Sequence, residues 1–173
     1  MHFASLFVFA TAITALPSLV RRDAAETLAN LQSIDTSTKS LTSTITSWDG
    51  SLLGALGIQS AANAVGIDNA NTAASDDAQA SSADSQTIVA YVTGTLTPDI
   101  QASLTALEAR KADFASLGIT SVVLSTIQSL QSKSATLGTT LVNIASDDQK
   151  AAAQSAADAI NADFAAAVTA FSS

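Results

Sequence analysis

Apolar residues recur every three or four positions along most of this sequence, and this period constrains the fold more than any other feature. An α-helix brings residues at this spacing onto one face, whereas a half-buried β-strand needs strict alternation. The first such stripe lies in residues 24–48 and stops at Asp49 and Gly50, a pair typical of a helix end. Its members are Leu28, Leu31, Ile34, Thr38, Leu41, Ile45 and Trp48. The period therefore predicts one long amphipathic helix.

Two further stripes follow one another in the second half of the chain. Thr97, Pro98 and Asp99 form a helix start signal, because proline suits the first helical position and an acid complements the helix dipole. Gly118 separates the stripes, so the sequence predicts an antiparallel helical hairpin with a tight turn at this glycine. The first stripe comprises Ile100, Leu104, Leu107, Phe114 and Leu117, and the second comprises Val123, Ile127, Leu130, Ser134, Leu137, Leu141 and Ile144.

The remaining segments also favour helix. A capping box, in which Ser146 accepts from the amide of Gln149, predicts a last helix that begins near Asp147. In residues 52–83 the apolar residues are separated by many small and polar residues. We predict helix there, with a break between positions 69 and 85. Alanine is abundant and only one proline follows position 22, which keeps the cost of helix formation low. We predict an all-α protein, an antiparallel bundle of about five helices with an apolar interior of small residues.

The first 22 residues have the pattern of a secretion signal followed by a dibasic processing site. The apolar run at positions 3–15 is too short to cross a bilayer, and Arg21 and Arg22 follow it. We expect residues 1–22 to be removed and residues 23–173 to form a single helical domain. No pattern for a C-terminal lipid anchor is present, so we expect a secreted protein that is free or associated with the cell wall without a covalent lipid anchor.

The composition of the 23–173 domain argues against most catalytic chemistries. It carries 15 acidic and five basic side chains, a net charge of −10, which disfavours nucleic acid as a partner. It has neither histidine nor cysteine, which removes Ser-His-Asp and Cys-His catalysis and histidine-ligated metals. The adjacent carboxylates at 76–77 and at 147–148 would point about 100° apart on a helix, so neither pair shares a face. We expect no enzyme activity, no metal and no cofactor.

A sparse set of features makes the sequence similar to one known family. The first stripe ends in Trp-Asp-Gly at positions 48–50, a small-residue segment follows, and an amphipathic helix at 160–171 comes last. The other matching positions are Pro98, Leu104, Leu107, Lys111, Phe114, Gly118 and Val122. Over residues 25–171 the chain resembles the fungal hydrophobic surface-binding protein A family, also called cell-wall galactomannoproteins. It differs from many relatives at Ser51, where they carry a second glycine, and it lacks the Ser/Thr-rich stalk and anchor signal of some.

The resemblance implies a secreted helical bundle that binds apolar material, and it leaves two hypotheses open. Relatives hold fatty acids in a central apolar cavity, so the first hypothesis is a non-catalytic protein that binds a fatty acid or similar apolar ligand. Family members also adsorb to hydrophobic surfaces and help to recruit polyester-degrading enzymes. The second hypothesis is therefore an interfacial adaptor that coats hydrophobic surfaces and recruits a secreted esterase.

The stripes supply the candidate residues for a ligand cavity. For any single apolar residue, ordinary core packing is the simpler interpretation, and the cavity depends on the collective shortage of large side chains between the helices. The candidates are Ile34, Leu41, Ile45, Trp48, Leu56, Leu104, Leu107, Phe114, Ile127, Leu130, Leu137 and Phe164. Trp48 fits a cavity mouth and a core plug equally.

Two polar residues interrupt the stripes and are candidate contacts to a ligand head group. Lys111 could approach a carboxylate, or it could cover apolar surface while its ammonium extends to solvent. Ser134 could contact the head group, or its hydroxyl could bond to its own helix.

Overall fold

The computed structural model describes residues 16–173, and it describes side chains from position 23 onward. Its elements are α1 (Leu16–Thr46), α2 (Leu52–Asn63), α3 (Ile67–Ser75), α4 (Ser82–Tyr91), a π-helical turn (Val92–Leu96), α5 (Thr97–Ala109), α6 (Lys111–Ser116), α7 (Thr120–Ile144) and α8 (Lys150–Ser172). The described chain is helical without a strand, so the all-α prediction is confirmed. Most of the predicted secretion signal, residues 1–15, lies outside the described residues.

Five of the helices form a closed ring. The helix α1 packs along α5, α5 along α8, α8 along α7, α7 along α3, and α3 returns to α1. Helices on opposite sides of the ring, such as α1 and α8, have almost no backbone contact. The interior surface carries Leu, Ile and Val side chains interspersed with Gly, Ala, Ser and Thr, and together they do not fill the enclosed space completely.

The most extensive helix-helix contact in the ring is the one between α7 and α8, and two small residues allow it. A Cβ atom added to Gly138 would lie 2.9 Å from the Cβ of Ala157. The two helices can approach this closely only because neither position carries a large side chain.

The α-helix α5 begins at Thr97 with Pro98 in its first turn, as predicted, but it has no side-chain cap and is not a separate helix. The helix α4 passes through the π-helical turn into α5, and right-handed helical angles are kept throughout residues 91–97. Proline has no N–H, and in a regular α-helix its ring would crowd the carbonyl of Gly94. The wider π turn avoids this conflict, and Thr97 Oγ1 donates to the carbonyl of Val92 at 2.9 Å. One continuous wall of the ring results.

The turn at Gly118 follows the prediction, but the hairpin around it does not close. Gly118 has a left-handed φ of 70°, and the amide of Ile119 donates to the carbonyl of Phe114 at 3.1 Å. The short α6 before the turn contacts α7, but the longer α5 does not pair with it, since α5 packs on α1 and α8 whereas α7 packs mainly on α8 and α3. The two stripes therefore face each other across the interior of the ring.

The predicted capping box before α8 is wrong. The amide of Gln149 bonds to the carbonyl of Ser146 at 2.8 Å and not to the Ser146 hydroxyl. Helix α8 begins at Lys150 instead. The reason is tertiary, because the Ser146 amide is held by the Ser85 hydroxyl at 2.9 Å, which anchors the backbone to α4.

Candidate ligand-binding cavity

The interior of the ring contains an apolar cavity of about 90 Å³, denoted cavity 1. It is lined along α1 from Leu31 to Leu41, which corresponds to about 15 Å of helix. A water molecule needs only about 10–15 Å³ of such space. The lining comes from α1, α4, the π-helical turn, α5, α7, α8, the start of α3 and a few connecting residues, and no charged side chain belongs to it.

One end of cavity 1 is closed by a seam of hydrogen bonds. The amide of Ala80 donates to the carbonyl of Ile144 at 2.7 Å, and the Ser146 amide donates to Ser85 Oγ. Ala80, Ser85 and Ile144 all line the cavity. The seam therefore holds the segment before α4 against the turn between α7 and α8.

A second apolar space, cavity 2, lies under α2 and has a volume of about 190 Å³. Leu41, Leu107 and Leu130 line both cavities, so these three side chains separate them. On the other side of cavity 2, Leu52 and Leu56 contribute to the lining although each is 56% exposed. The ring thus contains two adjacent apolar spaces with a leucine partition.

Trp48 is a core plug at the end of α1. Its ring stacks on Phe114 with centroids 4.6 Å apart, and the Arg110 guanidinium lies 5.7 Å from its centroid. The indole N–H donates to the carbonyl of Ser51 at 2.8 Å. Gly54 lies directly against the ring, where a Cβ would not fit. Trp48 is buried and lines neither cavity.

The predicted cavity residues divide into three groups. Ile34, Leu104, Ser134, Leu137 and Phe164 line cavity 1, Leu56, Phe114 and Ile127 line cavity 2, and Leu41, Leu107 and Leu130 line both. The structure does not bring Ile45 or Trp48 to either cavity, since both are packed into the core around them. Lys111 also lines neither cavity.

Lys111 instead caps the end of α8. Its Nζ donates to the carbonyl of Ala170 at 2.5 Å, to the carbonyl of Ser173 at 3.1 Å and to Ser173 Oγ at 3.0 Å. A cation at this position satisfies carbonyls that have no partner within the helix and complements the helix dipole. This contact differs from both sequence-based interpretations, because Lys111 does not line a cavity and its ammonium group is bound to the end of α8 instead of only to solvent.

Sequence reasoning missed much of the wall that α4 contributes. The predicted break between positions 69 and 85 is present at residues 77–81, but it is followed at once by α4, because Ser81 Oγ accepts from the amide of Asp84 at 3.2 Å and so begins a helix. That helix brings the buried Ser85 to cavity 1, and Ser103 reaches it from α5. The Ser-x-x-Asp spacing was the available signal.

A polar cluster lies beside the cavity, on α1, α4 and α5. Lys39 Nζ contacts Asp35 at 2.7 Å and Asp99 at 3.2 Å, and the Tyr91 hydroxyl donates to Asp35 at 3.0 Å. Burial raises the pKa of Asp35, but hydrogen bonds from Lys39 and Tyr91 outweigh it, so the pKa lies below its usual value. None of these four residues lines either cavity. The cluster joins three helices and leaves the cavity wall without charge.

The described part of the chain holds neither a metal-binding cluster nor a membrane-spanning helix. No group of three or more His, Cys, Asp or Glu side chains lies close enough together to hold a metal ion. No described helix is both long and apolar enough to span a bilayer.

Comparisons with known proteins identify similar sequences and folds. A sequence profile of the family described as hydrophobic surface binding protein A matches residues 24–143. A crystal structure of AfMp4p in complex with palmitic acid is 35% identical, with a TM-score of 0.82 over 86% of this chain and 99% of that chain. No curated protein sequence matches.

Two domains of the Penicillium marneffei MP1 protein share the fold at low sequence identity. Ligand binding domain 1, complexed with arachidonic acids, is 15% identical, with a TM-score of 0.78 over 83% of this chain and 94% of that chain. Ligand binding domain 2, complexed with multiple arachidonic acids, is 15% identical, with a TM-score of 0.75 over 95% of this chain and 98% of that chain.

Proposed function

Because this chain belongs to the hydrophobic surface binding protein A family, we propose that it is a non-catalytic binding protein that holds a fatty acid in cavity 1. One observation carries the proposal: five helices close a ring around an apolar space whose lining has no charged side chain. Apolar cavities of this kind stay dry, so an acyl chain gains free energy by leaving water for them. The palmitic acid complex of AfMp4p and the arachidonic acid complexes of MP1 support an acyl chain as the ligand.

The proposal is tested by native mass spectrometry of the protein purified from a secreting eukaryotic host and then titrated with palmitic acid. We expect a discrete complex of defined stoichiometry. At about 100 times its Kd the ligand should add about 2.7 kcal/mol of stability, which raises the Tm of a domain of this size by about 5–10 °C.

A filling variant and a matched control locate the ligand. Ala156 is buried and lines cavity 1, whereas Ala159 on the same helix is exposed. Ala156→Leu should lower palmitic acid affinity at least about tenfold, since its added side chain occupies the space of the acyl chain. Ala159→Leu should leave the affinity unchanged, and circular dichroism shows whether both variants fold. Unchanged binding by a folded Ala156→Leu protein would contradict the proposal.

A second candidate function is adsorption to hydrophobic surfaces through exposed apolar side chains on α2 and at the start of α7. Leu52, Leu53 and Leu56 on α2 and Val122 on α7 are exposed, with Leu53 79% exposed. Residues 52–63 hold no charged side chain. Leu52, Leu56 and Val122 also border cavity 2, exposed apolar groups are typical of an interaction site, and the family description names hydrophobic surface binding.

Depletion of the protein from solution by polystyrene beads tests this second function. Leu53 lines neither cavity, so Leu53→Ser changes the exposed apolar surface without changing the ligand site. Burial of one leucine is worth about 1.5–3 kcal/mol, so we expect at least about tenfold weaker adsorption. Leu53→Met keeps an apolar side chain and should adsorb as the parent does. Equal adsorption by all three proteins would refute the role of α2. Recruitment of an esterase by the adsorbed layer stays a prediction.

We also propose that the protein is secreted and that residues 1–22 are removed. The apolar run and the arginine pair support this processing. N-terminal sequencing of the protein secreted by a fungal host should give Asp23 as the first residue. A secreted product that retains Arg21 and Arg22 would exclude the dibasic step.

A further inference from the structure

We propose that cavity 1 binds its ligand with an uncharged head group, so that a fatty acid binds as the protonated acid and takes up one proton from solution. This inference rests on the proposed function and concerns the same cavity. It follows from the polar groups in the cavity lining, from the positions of the cations, and from the cost of burying an unpaired charge.

The polar groups that line cavity 1 are all hydroxyls. Thr38 Oγ1 donates to the carbonyl of Ile34 at 2.9 Å, so its proton is already used. Ser85 Oγ accepts from the Ser146 amide, which leaves its own proton free to donate into the cavity. A protonated carboxyl group or an alcohol both donates and accepts, as a hydroxyl does, whereas a carboxylate only accepts. Hydroxyls therefore match an uncharged head group without supplying a counter-charge.

The cations are engaged elsewhere. Lys39 binds Asp35 and Asp99, Arg110 binds Asp113, Lys133 binds Asp68, and Lys150 binds Asp147. Lys111 binds the carbonyls that end α8. These are all the basic side chains of residues 23–173. A carboxylate in cavity 1 would have to break one of these contacts to gain a partner.

The charged and titratable side chains of the ring helices and of α4 lie outside the cavity lining. They include Asp35 and Lys39 on α1, Asp68 on α3, Asp84 and Tyr91 on α4, Asp99 and Glu108 on α5, Lys133 on α7, and Asp158 and Asp163 on α8. Most of them are acidic, and the chain carries a net charge of −8. The surrounding field therefore disfavours an anion further.

An unpaired carboxylate in such a site is converted to its neutral form. Burial without a counter-charge can raise the pKa of a carboxyl group by about 3–5. A carboxyl group that titrates near about 4.3 in water would then stay protonated in the cavity up to about pH 7 or above. Between the pKa of the free acid and the raised pKa of the bound acid, each pH unit should weaken its apparent affinity about tenfold.

Decanoic acid and 1-decanol form a matched ligand pair, since they share the chain length and only the acid ionises. Between pH 5 and pH 7 we expect the affinity for decanoic acid to fall about 100-fold and the affinity for decanol to stay constant. Calorimetry in buffers of different ionisation heats should show uptake of about one proton per decanoic acid bound at pH 6. Residues 23–173 hold no histidine, and the decanol titration corrects for any proton that the protein itself exchanges.

A cation placed in the cavity should remove this pH dependence. Ser134 lines cavity 1, whereas Ser132 on the same helix is exposed. Ser134→Lys should bind decanoate at pH 7 about as well as at pH 5, and Ser132→Lys should behave as the parent. If the parent binds decanoic acid equally at both pH values without proton uptake, the ionised head group stays in water and this inference is wrong. If neither decanol nor decanoic acid binds, the proposed function itself fails.

Discussion

Leu107 separates the two cavities, and its truncation should both destabilise the protein and lengthen the ligand it accepts. The side chain is 6% exposed and lines both cavity 1 and cavity 2. Replacement of a buried leucine by alanine costs about 2.7–5.0 kcal/mol, and the cost rises with the volume of the space left empty. Because Leu107 already borders open space on two sides, it loses fewer contacts than a fully packed leucine. We therefore expect about 3 kcal/mol for Leu107→Ala.

Thermal unfolding and ligand competition measure the two effects. For a domain of this size, about 3 kcal/mol corresponds to a fall in Tm of about 6–12 °C. Removal of the partition also opens a path from cavity 1 into cavity 2. If two further methylenes of a longer acid enter cavity 2, they should strengthen the binding free energy by about 1.6 kcal/mol, which is slightly more than tenfold in affinity. Behenic acid should then displace palmitic acid from Leu107→Ala but not from the parent.

Leu137→Ala is the matched control. Leu137 is also 6% exposed, but it lines cavity 1 alone. It should lose similar stability without a change in the preferred chain length. If Leu107→Ala and Leu137→Ala show the same chain-length preference, the two cavities are not connected through Leu107 and the reasoning is refuted.

Two further predictions concern groups outside the cavities. A hydrogen bond from Ser82 lowers the pKa of Asp148 to about 2, and the pKa of Asp35 also lies below its usual value. Because both pKa values are lower in the folded protein, the two carboxylates contribute their full stabilisation above the pKa of the unfolded chain and lose it as the pH falls. The urea midpoint should therefore drop between pH 4 and pH 2, and a constant midpoint would contradict this. Lys111→Ala should speed hydrogen exchange in the last turn of α8 and lower the stability by about 1 kcal/mol, with palmitic acid affinity unchanged. A loss of palmitic acid affinity without a loss of stability would instead indicate that Lys111 contacts the ligand.

The periodic stripes determined most of the secondary structure because helical period is a local property. Stripe residues such as Ile34 and Leu41 are buried as predicted, and Gly118 turns the chain. The elements that differ are those where distant contacts act on the backbone. The π turn before Pro98 continues α4 into α5, and the bond from the Ser146 amide to Ser85 moves the start of α8.

The candidate site could be predicted only in part from the sequence. Most stripe leucines border a cavity, because a stripe faces the interior wherever its helix packs. Sequence spacing did not distinguish Leu107, which borders two cavities, from Ile45, which borders none. That difference depends on which helices lie opposite, and spacing along one helix carries no such information.

By itself, the sequence determined the helical class and the absence of histidine and cysteine chemistry in residues 23–173. Tertiary structure alone decided that the helices close a ring instead of a filled bundle, with two adjacent apolar spaces and with Lys111 at the end of α8. The physical reason is that small residues permit either close packing or a void. Hydrogen bonds between distant segments, such as the seam from Ala80 to Ile144, hold the helices where the void remains.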